Sequence, residues 1–545
     1  MAAHKENKKI RRVRLCTELM LLSCITAYIL MFTFINIRDL DKFCNPDVLA
    51  DMQVAKRMWE QKTLFPDGWI FGNQLYVIAT PVLAALYYGM VGSISSAMVL
   101  ATGTMTVLIL ASFVWMLRAF SKDYLTESAA CLVLVVSVIA PEGPYSLNLK
   151  LFFLQASFYA CYLITLFAVL GDYIRSCRCS DCRIPSWIIS LLLCFATGMQ
   201  SLRQTVVMIL PIVACELLRI LLAFCRSGSI ACSISRSSVI RAASYCAANV
   251  AGIAAVSLMD IPQNTIYGDM SLPQLEQLGA RIQSVGDDLC GITKLEAIMA
   301  AEAGVVASGV IVLMIGCVIA AACVCVVRIR RRQEGGLELC WIVCLTGMIG
   351  VLLSTVLLNI TLRSIYLFTW FPLVALSVLI LLTGVSEKIR LGVLLICCCL
   401  SAGLFFESYS DYVRYIVYGK EHLVYQQEGY AEEMCDWAMD NGFEYIYGDY
   451  WTSAAAISVY SDGKLEAGCW HRPERVFQAE PYNTPQDIYG DQENKKAIYV
   501  FTAEDESAGL KKAGEKGAEM NKVAEFGPYS AYTSSIPLME PYPGI

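Results

Sequence analysis

Residues 43–69 read FCNPDVLADMQVAKRMWEQKTLFPDGW. They follow the first long apolar run at once and are abruptly polar. Asp47 and Asp51 stand four residues apart, so a helix places both carboxylates on one face. Val48, Met52, Ala55 and Trp59 recur at spacings of four, three and four and form an apolar stripe on the same helix. The pattern predicts a short amphipathic helix from Pro46 to Trp59, lying on a membrane surface. Asp47 stands near its start, where exposed backbone N–H groups favour a carboxylate. For either aspartate alone, a helix cap or a solvated acid is the simpler account.

The rest of the chain says why a membrane is expected. Of 545 residues, 57% are hydrophobic and 17% charged, and the mean hydropathy is +0.54. A water-soluble chain of this length needs more polar surface, so lipid takes the excess apolar area. The net charge of −6 carries no basic excess and argues against a nucleic-acid partner. The basic start (Lys5, Lys8, Lys9, Arg11, Arg12, Arg14) precedes an apolar run without a small-residue cleavage site, which reads as a retained helix rather than a secretory signal. Most of the 24 cysteines sit in apolar runs such as LLICCCL and act as small hydrophobes. Cys177, Cys179 and Cys182 lack a fourth ligand and read as a plain loop.

Candidate spans fall near 15–37, 95–118, 126–141, 151–171, 186–200, 204–225, 238–258, 299–327, 338–359, 364–384 and 390–406. The stretch 74–92 is also apolar. Counting it as a span would turn the loops holding Arg118, Lys122 and RSCRCSDCR outward, against the positive-inside bias. With 74–92 at the interface, six basic segments share the cytoplasmic side. The expectation is about eleven spans, a cytoplasmic N-terminus, an external loop 38–94 and an external C-terminal part. The chain then divides into a transmembrane domain, 1–406, and a small α/β domain, 407–545. In the latter, GYAEEMCDWAMDNG reads as a helix closed by Gly442, and FEYIYG, KLEAGCW and KAIYVFTA read as strands. Cys44, Cys290, Cys435 and Cys469 fall outside, where disulfides are permitted but no pairing follows from sequence.

Two arginines break the charge pattern. Arg203, in GMQSLRQTVV, and Arg363, in NITLRSIYLF, fall at outside turns between paired spans. A cation at membrane depth costs about 2.5–3.5 kcal/mol on insertion scales. Either both snorkel to lipid phosphates, or they build an anion site at the outer face; two at matching turns favour the site. Lys150 starts another outside-facing span, and Lys56 lies in the first loop, so both are candidates to join them. With those cations on the same side, Asp47 and Asp51 gain a second reading: a carboxylate base facing an anionic, lipid-linked substrate.

These residues resemble the GT-C glycosyltransferases, polytopic enzymes such as protein O-mannosyltransferases and lipid A aminoarabinose transferases. The first loop resembles theirs through Asp47, Ala55, Met58 and Pro66, although Val48 replaces the second acid of the usual pair. ATPVLAALYYGMVG and LRSIYLFTWFPL resemble an interfacial stretch and a late Arg-aromatic-Pro span of the same enzymes, and DNGFEYIYGDYWTSAAAISVYSDGKLEAGCW resembles the C-terminal domain of bacterial GT-C-like proteins. The resemblance implies a bacterial plasma-membrane enzyme. It would move a sugar from a polyprenyl-phosphate donor to an envelope glycan, lipid or protein acceptor, inverting the anomeric carbon. Asp47 or Asp51 would be the base, and Arg203, Arg363, Lys150 and Lys56 the phosphate-binding cations. Some members use a divalent metal; with three histidines in the chain, no fixed metal site and no cofactor are expected. A transporter would show midplane charges, and a non-catalytic scaffold would need neither aspartate.

Overall fold

The computed structural model describes residues 2–43, 46–139, 152–154, 158–177, 184–227, 235–263, 277–292, 305–331, 335–358, 362, 364–413, 429–471, 473–480, 483–490, 492 and 495–541. α1 (Ala2–Phe43) holds the first apolar span, and α2 (Pro46–Gln61) follows it. Strand β1 (Trp69–Ile70) and an irregular segment lead to α3 (Thr80–Val91), α4 (Ile94–Leu117) and α5 (Tyr124–Ile139). Next come α6 (Ala160–Cys177), α7 (Ile184–Gln200), α8 (Leu210–Ser227) and α9 (Arg236–Ser257). α10 (Leu278–Ile292) follows, and α11 (Val305–Arg330), α12 (Gly336–Leu357), α13 (Trp370–Leu382) and α14 (Glu387–Tyr412) complete the series.

Eight of these helices are long and apolar enough to cross a membrane. Their outward faces carry exposed Leu19, Leu22 and Leu30 on α1, Leu217 and Leu221 on α8, and Ile349 and Leu353 on α12. Apolar side chains repeated at helical spacing on an open face need lipid rather than water. The chain is a multi-pass membrane protein. The shorter apolar helices α5, α7 and α13 supply the other three of the eleven expected positions. The stretch 74–92 does not cross. Gly72, at one end, donates to Asn483 Oδ1 at 2.9 Å, and Ser93, at the other, donates to Asp462 Oδ1 at 3.2 Å. Both ends therefore touch the C-terminal unit, whereas a span would separate them by about 30 Å.

The basic turns gather at the other end of α4. Arg14 pairs with Glu18 and Asp123 and lies 3.7 Å from Glu387, while Arg390 lies 3.9 Å from Asp123. The N-terminal basic stretch, the turn after α4 and the start of α14 thus meet. At the opposite end of α4, Ser95 N donates to Asp462 of the C-terminal unit at 2.9 Å.

That unit contains α15 (Tyr430–Asp440), β2 (Tyr445–Asp449), α16 (Ala454–Ser458), β3 (Glu466–Trp470), β4 (Thr484–Pro485), β5 (Ala497–Phe501), α17 (Glu506–Glu515), β6 (Met520–Phe526) and β7 (Tyr529–Ser534). Gly442, at φ 71°, closes α15. The sheet order is β3-β2-β5-β7-β6, parallel through β3, β2 and β5 and antiparallel beyond. β2, β3 and β5 are the three strands expected from sequence. The β6–β7 hairpin escaped that reading because β6, MNKVAEF, is mostly exposed and lacks an apolar alternation. β4 pairs with β1, Trp69 opposite Pro485 and Ile70 opposite Thr484, and so stitches the unit to the first loop.

Candidate active site

α2 is the hub. Pro46 at its start is preset for a helix, Ala50, Met52, Ala55 and Met58 favour helix, and Lys62, at φ 57°, turns the chain after it. The expected stripe is present, but it does not lie on a membrane. Val48, Met52 and Ala55 are buried against protein, and the Trp59 ring fills the space where Gly89 of α3 lacks a Cβ. The far side is covered by the C-terminal unit, through Lys56 Nζ to Gly463 O at 2.8 Å and Arg57 to Asp487 and Glu466 at 2.8 and 3.1 Å. Covering both faces buries a helix whose sequence reads as half-exposed.

This separates the two aspartates. Asp47 is half-buried, and Tyr450 Oη donates to its Oδ1 at 3.1 Å. Asp51 has no exposure, and neither of its oxygens reaches hydrogen-bonding geometry with a partner. Burial, chiefly, raises the Asp51 carboxyl well above its usual range; the nearby Tyr76 hydroxyl opposes that and Asp47 reinforces it. Two carboxylates one helical turn apart thus sit in different surroundings, one sealed from solvent and one half-buried. A raised folded-state pKa stabilises fully below the unfolded value near 3.9, and that stability is lost as pH rises towards the folded pKa. The apparent Tm in detergent is therefore expected to fall above about pH 4, with a slope of up to about 1.4 kcal/mol per pH unit from this group, and Asp51→Asn should remove that component. Equal slopes in both proteins would refute a neutral Asp51.

The irregular segment 71–79 connects α2 to the mouth of the bundle. Leu75 N and Ile78 N donate to the main-chain O and Oε1 of Gln200, at 3.0 and 3.1 Å. Phe71 N donates to Pro262 O at 3.0 Å. The same segment presents Tyr76 to Asp51, and Gln74 accepts from Tyr162 Oη at 2.5 Å.

Arg203 lies just past the end of α7. Its Nη1 donates to Tyr159 Oη at 2.6 Å, and its guanidinium stands 5.2 Å from the Tyr159 ring centroid and 4.9 Å from that of Tyr366. These partners are neutral aromatics, so they orient the cation without cancelling its charge. Tyr366 belongs to the 3₁₀ turn Ser364–Leu367, so the structure joins the two turns that sequence singled out. A π-helical turn, Thr205–Ile209, follows Arg203 at once; such turns are frequent at functional sites. Beside it opens a cavity of about 430 Å³, walled largely by apolar side chains such as Leu202, Val206, Ile253, Val351 and Phe368, with Arg203 among the polar residues that also line it.

Lys56 is the correction. At 100° per residue it projects roughly opposite Asp47 on α2, and it is spent on Gly463. It borders a separate cavity of about 220 Å³ with Arg57, Glu466 and Asp487, away from Arg203. Lys150 and Arg363 lie outside the described residues, as does Cys44. Cys435 and Cys469 are buried single thiols. Among the described residues, no group of three or more His, Cys, Asp or Glu side chains is placed to hold a metal ion. Sequence reading missed Tyr76, Tyr159, Tyr366 and Tyr450. Tyrosines are common here, 28 in all, and no spacing ties these four together.

The crystal structure of ArnT from Cupriavidus metallidurans bound to undecaprenyl phosphate aligns with this chain at a TM-score of 0.53 and 11% identity, covering 95% of this chain and 99% of that one. The chain shares the fold of that structure. The apo crystal structure of the same transferase aligns at 0.45 and 12% identity, over 95% and 99%. No protein-family profile and no curated protein matches the sequence. The alignment covers too much of the chain to stop at the bundle, so the shared fold extends into the C-terminal sheet unit.

Proposed function

We propose that this GT-C protein transfers a glycosyl group from a polyprenyl-phosphate donor to a hydroxyl of an envelope acceptor on the extracytoplasmic face of a bacterial plasma membrane. The supporting observation is the largely apolar cavity that Arg203 helps to line, with Asn73 of the 71–79 segment in its wall and Tyr76 of the same segment beside Asp51 on the helix bearing Asp47. The lipid chain would occupy the apolar cavity, and Arg203 would meet the phosphate. Asp47 would take the proton of the acceptor hydroxyl as its oxygen attacks the anomeric carbon. The bond from that carbon to the phosphate oxygen breaks with the electron pair on the phosphate, where Arg203 stabilises the growing charge. A single displacement of this kind inverts the anomeric centre. Arg363 and Lys150 remain proposed further cations of the same site.

The proposal rests on substrate choice first. The purified protein is expected to retain undecaprenyl phosphate in preference to undecaprenol in native mass spectrometry; equal retention would remove the phosphate-site reading. Orientation is tested separately. In a cysteine-free background, Lys511→Cys places a thiol on α17 at a side chain that is 80% exposed. An impermeant thiol reagent is expected to label it in intact cells. Labelling only after the membrane is broken would put the C-terminal unit in the cytoplasm.

A further inference from the structure

Asp47 is contacted by a residue of the C-terminal unit, 403 positions away in sequence. Tyr450 follows β2 directly and is buried, with 4% exposure. Three restraints fix it. Its main-chain N donates to Trp470 O at the end of β3, at 2.7 Å. The turn after it is tied by Asp449 Oδ1, which accepts from Trp451 N, Thr452 N and Thr452 Oγ1, each at 2.9 Å. Its ring packs edge-on against Trp451 at 5.3 Å. The unit itself is held to α2 by Arg57, between Glu466 and Asp487, and to the start of α4 by Asp462. A hydroxyl so constrained arrives at Asp47 pre-aimed.

We infer that Tyr450 is a positioning residue that orients Asp47 and favours its ionised form, so that the base is complete only with the C-terminal unit docked on α2. This deepens, and rests on, the reading of Asp47 as the base. A hydrogen bond donated to a carboxylate favours the charged form. Among the described residues, titratable groups that act on or touch Asp47 include Asp51 on its own helix, Tyr76 on the 71–79 segment and Tyr450. Asp51, sealed from solvent, is held towards its neutral form and so adds little repulsion. Tyr76 spends its influence on Asp51 as well. Tyr450 is a donor from the C-terminal unit that reaches Asp47.

The test needs no sugar donor. A hydrophobic carbodiimide modifies protonated carboxyls, so its reaction with Asp47 across a pH series, read by peptide mass spectrometry on the full-length protein in detergent, reports the protonation midpoint of that side chain. Tyr450→Phe keeps the ring packing and removes the donor. It should move the midpoint upward by about one pH unit or more, the order expected for one lost hydrogen bond to a charged acceptor. Tyr447→Phe is the control. Tyr447 lies on β2, three residues before Tyr450, and its hydroxyl donates to Ile488 O at 2.6 Å instead. Its midpoint should match the wild type. An unshifted midpoint in Tyr450→Phe, or the same shift in both variants, would overturn the inference. Failure of the wild-type protein to discriminate undecaprenyl phosphate from undecaprenol would instead sink the transfer reading and leave this measurement standing.

Discussion

Asp47→Asn is expected to lower glycosyl transfer by about 10²–10⁴-fold, the usual worth of a positioned proton acceptor, while Asp51→Asn keeps most of it. Both residues sit on one face of α2, and sequence alone cannot choose between them. Their surroundings do. Asp47 is half-buried and receives a hydrogen bond from Tyr450, so it can be reached. Asp51 has no exposed surface and no hydrogen-bonded partner for either oxygen. A carboxyl in that setting is held towards its protonated form and is closed to an acceptor hydroxyl. Asparagine at position 47 still accepts from Tyr450 and still suits a helix start, so folding should survive while the base is lost. Asparagine at 51 replaces one neutral group by another. The measurement is mass spectrometry of envelope glycans from a strain lacking the protein, complemented with each variant at matched membrane abundance. Normal glycans with Asp47→Asn and their loss with Asp51→Asn would reverse the assignment. Normal glycans in the double variant would leave α2 with a structural role alone.

Much of the bundle was legible because lipid imposes a strong constraint: each span needs a long apolar run, and the basic turns mark one end. The contacts among Arg14, Asp123, Glu387 and Arg390 show that constraint working, since segments far apart in sequence share one end of the bundle. The placement of 74–92 was legible for the same reason. Reading α2 as a membrane-surface helix failed because amphipathicity records only one buried face. A second face covered later by Lys56, Arg57 and their partners on the C-terminal unit leaves no periodic trace, since those residues are charged whether they meet water or another domain. The reading of Lys56 follows from that error: on a free surface helix it could turn towards a phosphate, whereas the structure places its Nζ on Gly463 O. Arg203 was singled out because a cation at an apolar turn has a cost that demands compensation. The tyrosines that orient it were not, because an aromatic ring beside a span is unremarkable in either role.

Arg203→Ala is expected to abolish most of the preference for undecaprenyl phosphate over undecaprenol and to lower transfer by about 10²–10³-fold, the scale seen when a charge-stabilising donor is removed from a transition state. The guanidinium is set between Tyr159 and Tyr366 at the polar part of a cavity whose remaining walls are largely apolar. A lipid phosphate entering that cavity loses water and would need a cation to offset the loss, whereas a polyprenol would not. The two lipids therefore isolate the charge from the chain. Arg203→Lys should recover only part of the preference: the ammonium retains the charge but cannot stack as a plane on two rings or offer two parallel N–H groups. A snorkelling arginine makes a different forecast. Its removal would alter how the turn sits in the bilayer and would change retention of both lipids alike. Undiminished discrimination in Arg203→Ala, at an apparent Tm equal to that of the wild type, would assign the residue to the bilayer surface and move the phosphate elsewhere in the fold.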